Sequence, residues 1–254
     1  MNELIVIITS ISFGSFANNI ISFYSGGSKF DWLRSSCSCG ERELRYYELI
    51  PLLSFLIQKS KCRGCNRKLP FRYFLIELIT GVMGITCYMK FDLTFSLFFH
   101  FFLFYALLLI AVVDFNVYRI PNQLVSFLLL LAVIKSFMVQ IDILWNIITA
   151  VSITCLFLLI NQFYLKAKRK LAIGYGDIKL IAVLMLTFDI PTALIALWLS
   201  SLIAVPGFYL LKKVSKHNIR NEKIPFGLFL GLGYGFIALV LRDILPFSHI
   251  FESF

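Results

Sequence analysis

The chain has 254 residues, of which 59% are hydrophobic and only 15% are charged. Soluble domains carry about 25% charged residues, so this composition excludes a disordered chain and an ordinary water-soluble core, and it favours a polytopic membrane protein. The formal net charge is nevertheless +10, from 24 basic and 14 acidic side chains, which would also suit a nucleic-acid partner, and the positions of the charges decide between these possibilities.

Eight apolar stretches follow one another along the chain, and a membrane-crossing helix needs about 20 apolar residues. The first, residues 4–23, carries no charge and is not followed by a small-residue cleavage site, so it is interpreted as a retained span rather than a signal peptide. The others are residues 74–89, 93–113, 124–139, 143–165, 178–188, 192–211 and 226–241. The sequence therefore predicts an all-α polytopic membrane protein with about eight transmembrane helices, of which the sixth is short.

Lysine and arginine side chains are concentrated in alternate connections between these stretches. Ten lie in residues 29–72, five in 166–179 and five in 212–223, and Arg119 lies between the third and fourth stretches. The remaining connections carry only Lys90 and Arg242 beside several acidic residues. The positive-inside rule then places the four basic connections in the cytoplasm and both termini outside it. Because topology explains the charge, we expect a lipid bilayer around the protein and no nucleic-acid partner.

The polar connection at residues 24–72 is too short to bury much core without a staple. Four of the six cysteines lie in it, as two close pairs: Cys37, Cys39, Cys62 and Cys65. Cytoplasmic thiols are kept reduced, and two such pairs resemble the ligands of a tetrahedral Zn²⁺ site. We therefore expect a small zinc-stapled cytoplasmic domain, with free or redox-active thiols as the alternative. Cys87 and Cys155 lie in apolar stretches and are predicted to be small buried hydrophobes.

Three carboxylates lie at membrane depth or at its edge, where an ionisable group is costly and is a functional candidate. Glu77 lies close to the start of its span, so a structural anchor or ion-pair partner is as good an interpretation as a functional one. Asp114 follows the third stretch and Asp177 precedes the sixth, and the topology places both at the cytoplasmic face. Gly174 and Gly176 permit a tight turn and a close backbone approach before Asp177.

Two carboxylates brought together have a defined chemistry, because they share a proton and titrate as a unit. One can act as general base toward a water while the other acts as general acid toward a scissile carbonyl oxygen. The chain has no Gly-x-Ser-x-Gly motif, and its histidines are scattered: His100, interpreted as a packed residue, His217 and His249. Two other classes remain open: a transporter in which Asp114 and Asp177 relay protons or bind a cation, and a non-enzymatic assembly protein whose zinc domain docks cytoplasmic partners.

Six segments in order resemble the bacterial prepilin peptidase family, the type IV prepilin leader peptidase/N-methyltransferases of the Gly-x-Gly-Asp aspartic-protease type. They are Gly14-Ser-Phe-Ala-Asn-Asn-Ile20, Tyr47-Glu-Leu-Ile-Pro-Leu-Leu-Ser-Phe55, Arg72-Tyr-Phe-Leu-Ile-Glu-Leu-Ile-Thr-Gly81, Asp114 with Pro121-Asn122, residues 174–180 and Ile224-Pro-Phe-Gly227. The likeness covers nearly the whole chain. Two departures, a C-x-C first cysteine pair and Glu48 where an Asp is common, lie in the region that the family ties to methylation.

The resemblance implies that Asp114 and Asp177 are the catalytic pair, supported by Gly174, Gly176 and Lys179. It implies cleavage of the basic leader of type IV prepilins or pseudopilins after a glycine, at the cytoplasmic side of the bacterial inner membrane. It also implies N-methylation of the new N-terminal residue, usually Phe, with S-adenosylmethionine, and it associates the four cysteines with Zn²⁺. The expected organisation is a first transmembrane helix at residues 1–23, a cysteine-containing domain at 24–72, a seven-helix peptidase domain at 73–245 and a C-terminal tail at 246–254.

Overall fold

A computed structural model of the chain describes residues 2–26, 50–58, 61–62, 68–138, 143–214 and 225–237. Within these residues the regular structure is helical, apart from one isolated antiparallel bridge between Lys61 and Lys68. The helices are α1 (Asn2–Tyr24), α2 (Leu53–Ile57), α3 (Phe71–Phe91), α4 (Phe95–Val117), α5 (Asn122–Met138), α6 (Ile143–Lys168), α7 (Tyr175–Thr187), α8 (Ile190–Val214) and α9 (Phe226–Phe236). Each of the eight predicted apolar stretches overlaps one of these helices, and α2 is a short addition within the polar connection, so the all-α prediction is confirmed.

Five of the described helices are long and apolar enough to cross a bilayer: α1, α3, α4, most of α6 and most of α8. The other three helices over predicted spans are shorter, with 17 residues in α5, 13 in α7 and 11 in α9. At 1.5 Å per residue α7 is about 20 Å long, which is less than the hydrocarbon thickness of about 30 Å. The long helices identify a polytopic membrane protein, and the described parts of the other three helices are apolar but shorter.

The chain divides into two compact units, and the first, Met1–Phe101, is organised by the packing of α1 against α3. Small residues let these two helices approach closely. A Cβ at Gly14 would meet the Thr80 hydroxyl and would lie 2.7 Å from the Cα of Glu77, and Gly84 faces a serine side chain of α1. Helices in lipid gain no preference from apolar burial, so this close backbone contact is what specifies the pairing of α1 with α3.

The second unit, Phe102–Phe254, is organised around α7, which packs against α5, α6, α8 and α9. Buried residues lie on every side of this short helix: Ile178, Leu180, Ile181, Val183, Leu184, Met185 and Thr187. Its C-terminal end is also held by Lys135 of α5, a buried side chain whose Nζ donates a 2.9 Å hydrogen bond to the Thr187 carbonyl. Because the last carbonyls of a helix lack partners within it, Lys135 acts as a cap, and α7 has a fixed position.

The helix α9 lies against both α4 and α8. A Cβ at Gly231 would lie 3.4 Å from the Leu107 carbonyl oxygen of α4. On the other side, the Tyr234 hydroxyl donates a 3.0 Å hydrogen bond to the Ala193 carbonyl of α8. This packing brings the first residues of α9 to the end of α4, where Asp114 lies.

Candidate active site

Asp114 lies in the last turns of α4 and is only 5% exposed. Its Oδ2 accepts a 2.9 Å hydrogen bond from the backbone N–H of Gly227, and the backbone N–H of Leu228 is a second donor. Both donors belong to the first turn of α9, whose N–H groups have no acceptor within the helix. The positive end of the α9 dipole therefore faces this carboxylate, which satisfies a polar side chain at membrane depth.

Asp177 lies in the first turn of α7 and is partly exposed. Its carboxylate folds back and accepts a hydrogen bond from the backbone N–H of Gly174, the N-cap residue of the helix. An acidic side chain three residues into a helix that bonds the N-cap N–H is one half of a capping box. A Cβ at Gly174 would lie 2.8 Å from the Asp177 Oδ2, so a side chain at this position would displace the carboxylate.

Ile120 lies between the two turns that carry the aspartates. A Cβ at Gly176 would lie 3.3 Å from the Ile120 Cβ, and a Cβ at Gly227 would lie 3.3 Å from the Ile120 Cδ1 and 3.0 Å from the Asp114 Oδ2. The carboxylates are close enough for the charge of Asp114 to act directly on Asp177. The structure thus brings together the two aspartates that the sequence predicts as a pair, with the Ile120 side chain packed against the glycines beside them.

A polar link between α5 and α7 lies at the exposed side of the same site. The Nζ of Lys179 donates to the Oδ1 of Asn122, the first residue of α5, over 3.4 Å. A long, exposed hydrogen bond of this kind contributes little net stability. The predicted supporting residues are therefore all near the pair, but Gly174 contacts an aspartate, Gly176 contacts Ile120, and Lys179 contacts a neighbouring helix.

Glu77 belongs to α3 of the first unit and is 7% exposed. Its Oε2 accepts a 2.7 Å hydrogen bond from the backbone N–H of Leu52, and the Ser15 hydroxyl is a second donor. Leu52 has a φ of 60°, in the left-handed region that a branched residue rarely adopts. Glu77 therefore holds the segment before α2 on α3, which favours the interpretation as a structural anchor.

The predictions for the histidines and for the two cysteines of the apolar stretches have mixed outcomes. His100 is packed as predicted, because its ring stacks on Phe91 with centroids 4.2 Å apart and its Nδ1 lies 2.8 Å from the Ser96 carbonyl oxygen. Cys87 is buried, which confirms that prediction, whereas Cys155 is exposed and that prediction is wrong. The difference arises because α6, which carries Cys155, exposes most of its surface. His217 and His249 lie outside the described residues.

Among the four predicted zinc ligands, Cys62 is described and is 3% exposed. Cys37, Cys39 and Cys65 lie outside the described residues. In the part of the chain that the structure describes, no group of three or more His, Cys, Asp or Glu side chains could hold a metal ion. An isolated antiparallel bridge pairs Lys61 with Lys68, so the backbone directly before Cys62 lies beside the backbone at Lys68.

Residue patterns did not single out two contributors to the aspartate site. The backbone N–H groups of Gly227 and Leu228 contact Asp114, whereas in the sequence Gly227 is only one residue of the family resemblance. The available signal is Pro225, because a proline at the N-cap has no side-chain acceptor for the first N–H groups of the helix and leaves them for another group. Ile120 gave no signal, since an isoleucine in a connection is indistinguishable from any other apolar residue there.

Comparisons with known proteins identify relatives of the chain. The family model of the bacterial Peptidase A24 N-terminal domain matches residues 8–91, and that of the type IV leader peptidase family matches residues 101–209. The prepilin leader peptidase/N-methyltransferase of Bacillus subtilis (strain 168) is 31% identical over 170 residues, which cover 67% of each chain. The protein of the same name from Legionella pneumophila is 30% identical over 214 residues, which cover 83% of this chain and 73% of the relative.

The prepilin leader peptidase/N-methyltransferase of Pseudomonas aeruginosa is also 30% identical, over 218 residues that cover 82% of this chain and 72% of the relative. No solved structure matches the chain. The two family models together cover α3 and most of α1 and α4, and the aspartates at 114 and 177 both fall within the second match.

Proposed function

The chain belongs to the type IV leader peptidase family, and we propose that it is a membrane aspartic endopeptidase that removes the basic leader of type IV prepilins or pseudopilins. In this proposal the leader is cleaved after a glycine at the cytoplasmic face, and the new N-terminal residue is then N-methylated. One observation carries the peptidase assignment: Asp114 and Asp177 come from separate helices, act on each other, and are each held by a backbone N–H at the start of a helix. The names of the relatives support both activities.

The proposed hydrolysis uses the aspartate pair without a covalent intermediate. Two neighbouring carboxylates share one proton, so the ionised carboxylate takes a proton from a water whose oxygen attacks the scissile carbonyl carbon. The protonated carboxyl meanwhile gives its proton to the carbonyl oxygen. The C–N bond then breaks and a proton passes to the leaving amine. The fixed backbone donors keep Asp114 and Asp177 in place through these steps, which is where such a site gains rate.

We also propose that all eight helices over the apolar stretches cross the inner membrane, with the four basic connections in the cytoplasm and both termini outside it. Asp114 at the end of α4 and Asp177 at the start of α7 then lie at the same cytoplasmic edge. This location suits a substrate with a basic leader in water and an apolar segment in lipid, because the bond between them lies where water can enter. It also argues against a transporter, whose binding site is typically near the bilayer midplane.

The second activity is assigned to the first unit and its cysteine segment. S-adenosylmethionine would supply the methyl group for the new amine. Cys37, Cys39, Cys62 and Cys65 would hold one Zn²⁺, which would act as a structural staple for a segment too small to form its own core. The buried Cys62 and the bridge between Lys61 and Lys68 suit such a site, and Glu77 would fix the segment to α3.

Co-expression with a type IV prepilin tests the proposal directly. Wild type, Asp114→Asn and Asp177→Asn are compared for leader removal on immunoblots, and Asp92→Asn serves as the matched control because it makes the same chemical change at an exposed residue. We expect full processing in wild type and Asp92→Asn, and none in either site variant while the protein still accumulates in membranes. Processing near the wild-type level in Asp114→Asn or Asp177→Asn would overturn the aspartic mechanism.

The same samples test the methyl transfer and the metal. Mass spectrometry of the mature pilin should find a monomethylated N-terminus on most molecules, and a free amine on most of them would reduce the protein to a peptidase. Metal analysis of the purified chain should find about one zinc per molecule, as four thiolate ligands require. Less than about half of that amount, with all four thiols open to alkylation, would exclude the zinc site.

A further inference from the structure

One buried asparagine in the second unit, Asn161, makes three hydrogen bonds to backbone groups. The Oδ1 of Asn161 accepts hydrogen bonds from the backbone N–H groups of Ala172, at 3.1 Å, and Ile173, at 2.9 Å. Its Nδ2 donates a 2.9 Å hydrogen bond to the Ile173 carbonyl. An asparagine amide has two acceptor sites and two donors, so three of its four possible bonds go to one short stretch of backbone.

The position of Asn161 on its helix is also unusual. Asn161 is 1% exposed, whereas Leu159 and Ile160 before it are 52% and 40% exposed and Phe163 after it is 73% exposed. An amide in an apolar setting is costly unless it is hydrogen-bonded. Since the neighbouring side chains of α6 point away from the protein, this residue is the point at which the end of α6 is tied to the rest of the unit.

The backbone that Asn161 holds leads directly into the Gly-x-Gly-Asp motif. Ala172 and Ile173 lie in the irregular connection between α6 and α7, and Gly174 follows them as the N-cap of α7. Gly174 has no side chain with which to cap the helix, and its own N–H is the donor to the Asp177 carboxylate. The peptide unit that carries this N–H is formed by the carbonyl of Ile173, the same group that accepts the Asn161 bond.

We propose that Asn161 is a positioning residue for Asp177, which rests on the proposed function of that aspartate. The Asn161 amide fixes the plane of the Ile173–Gly174 peptide, and this plane sets the direction of the Gly174 N–H toward the Asp177 carboxylate. A glycine-rich turn cannot fix its own backbone, because glycine adopts many conformations at similar energy. The side chain of a neighbouring helix supplies the missing restraint.

A positioning role and a purely structural role of Asn161 predict different effects when the amide is removed. If the amide only joined α6 to α7, its removal would lower stability and leave the chemistry of the folded molecules intact. If it aims the Gly174 N–H, its removal lowers the turnover of folded molecules, because a misplacement of about 1 Å at a reacting group costs about 100-fold in rate. Substrate contacts made elsewhere are unchanged, so the KM is preserved.

The test uses the purified full-length protein in detergent with a purified type IV prepilin as substrate. Asn161→Leu has nearly the same size and removes all three bonds. Asn161→Asp keeps the acceptor oxygens and loses the donor to Ile173. Asn146→Leu is the matched control, because Asn146 is another buried asparagine of α6 and lies about 22 Å away along the helix axis. Each variant is measured for kcat, KM, thermal stability and amide hydrogen exchange at Ala172 and Ile173.

We expect kcat to fall by about 30- to 100-fold in Asn161→Leu and by about 3- to 10-fold in Asn161→Asp, with KM within about twofold of wild type. Exchange at Ala172 and Ile173 should rise in both variants, and Asn146→Leu should match wild type in kcat. A kcat for Asn161→Leu within about twofold of that for Asn146→Leu would overturn the positioning role. If Asn161→Leu does not accumulate, Asn161→Asp decides, and wild-type kcat with unchanged exchange would overturn it.

Asp177→Asn in the same assay separates the two proposals. An inactive Asp177→Asn beside a fully active Asn161→Leu overturns the positioning role alone. An active Asp177→Asn overturns the proposed catalytic pair and, with it, any need to position that carboxylate.

Discussion

The two units of the molecule bury carboxylates in opposite ways. In the first unit the Glu77 carboxylate accepts the N–H of Leu52, which belongs to the segment being held. In the second unit Asp114 and Asp177 accept N–H groups from the starts of α9 and α7, so the helices hold the carboxylates. An acid that anchors a loop and an acid that is held in place by helix starts look identical in sequence. The segment that carries the donating N–H distinguishes them.

A second difference concerns what lies beside each carboxylate. Asp114 and Asp177 act on each other, and one of them is partly open to the surroundings. The donors to Glu77 are the backbone N–H of Leu52 and the Ser15 hydroxyl, and neither is a second carboxylate. An ionisable group at a membrane edge is a functional candidate in each of the three cases, but general acid–base work needs the pair. The contrast therefore supports the proposed peptidase chemistry in the second unit and the interpretation of Glu77 as an anchor in the first.

The strongest test of this contrast removes one negative charge from each unit. We expect Asp177→Asn to lower leader removal by at least about 1,000-fold, because a member of an acid–base pair cannot be replaced by an amide. Glu77→Gln should stay within about threefold of wild type, since the amide oxygen can still accept the Leu52 N–H. Initial rates with a purified prepilin measure both variants. A Glu77→Gln protein as inactive as Asp177→Asn would erase the distinction between the units.

A smaller effect is expected from the helix start that holds Asp114. In Gly227→Ala the new Cβ would lie 3.0 Å from the Asp114 Oδ2 and 3.3 Å from the Ile120 Cδ1, so the carboxylate must move. We expect kcat to fall by about 10- to 100-fold with little change in thermal stability. Gly235→Ala is the control on the same helix, because no atom lies within 4 Å of its added Cβ. Equal rates for the two variants would mean that the α9 start does not set the position of Asp114.

The sequence predicts the helices of the second unit well and singles out its two aspartates, for physical reasons. Apolar stretches of spanning length have few alternatives to helix, because every backbone group must find a partner within the membrane. Asp114 and Asp177 are conspicuous because charges are rare there. The basic connections alone predict a common side of the membrane for the two aspartates, without knowledge of any contact.

The groups that hold the acids could not be predicted in this way. Every residue except proline has a backbone N–H, so no residue type reveals that the N–H of Gly227 points at Asp114 or that of Leu52 at Glu77. The partner of Asn161 could not be predicted either, because a single asparagine in an apolar stretch does not show that it binds the backbone at Ala172. These contacts depend on helix packing, which side-chain patterns describe only loosely.

The smallest expected effect comes from a substitution of Lys135. This buried ionisable residue holds a helix end in the second unit, as Glu77 holds a segment in the first. In Lys135→Met the Thr187 carbonyl loses its 2.9 Å partner, while the cost of burying a charge is also removed. We expect a net loss of about 1 kcal/mol, seen as a fall in Tm of about 2–4 °C. Leader removal should stay within about twofold of wild type, because Thr187 lies about 15 Å along α7 from Asp177.

Ser136→Ala is the neighbouring control, since its hydroxyl bonds the Ala132 carbonyl of its own helix. A large loss of activity in Lys135→Met at unchanged Tm would show that this anchoring side chain also affects the chemistry. The segment that carries the donor would then not distinguish an anchoring charge from a catalytic one.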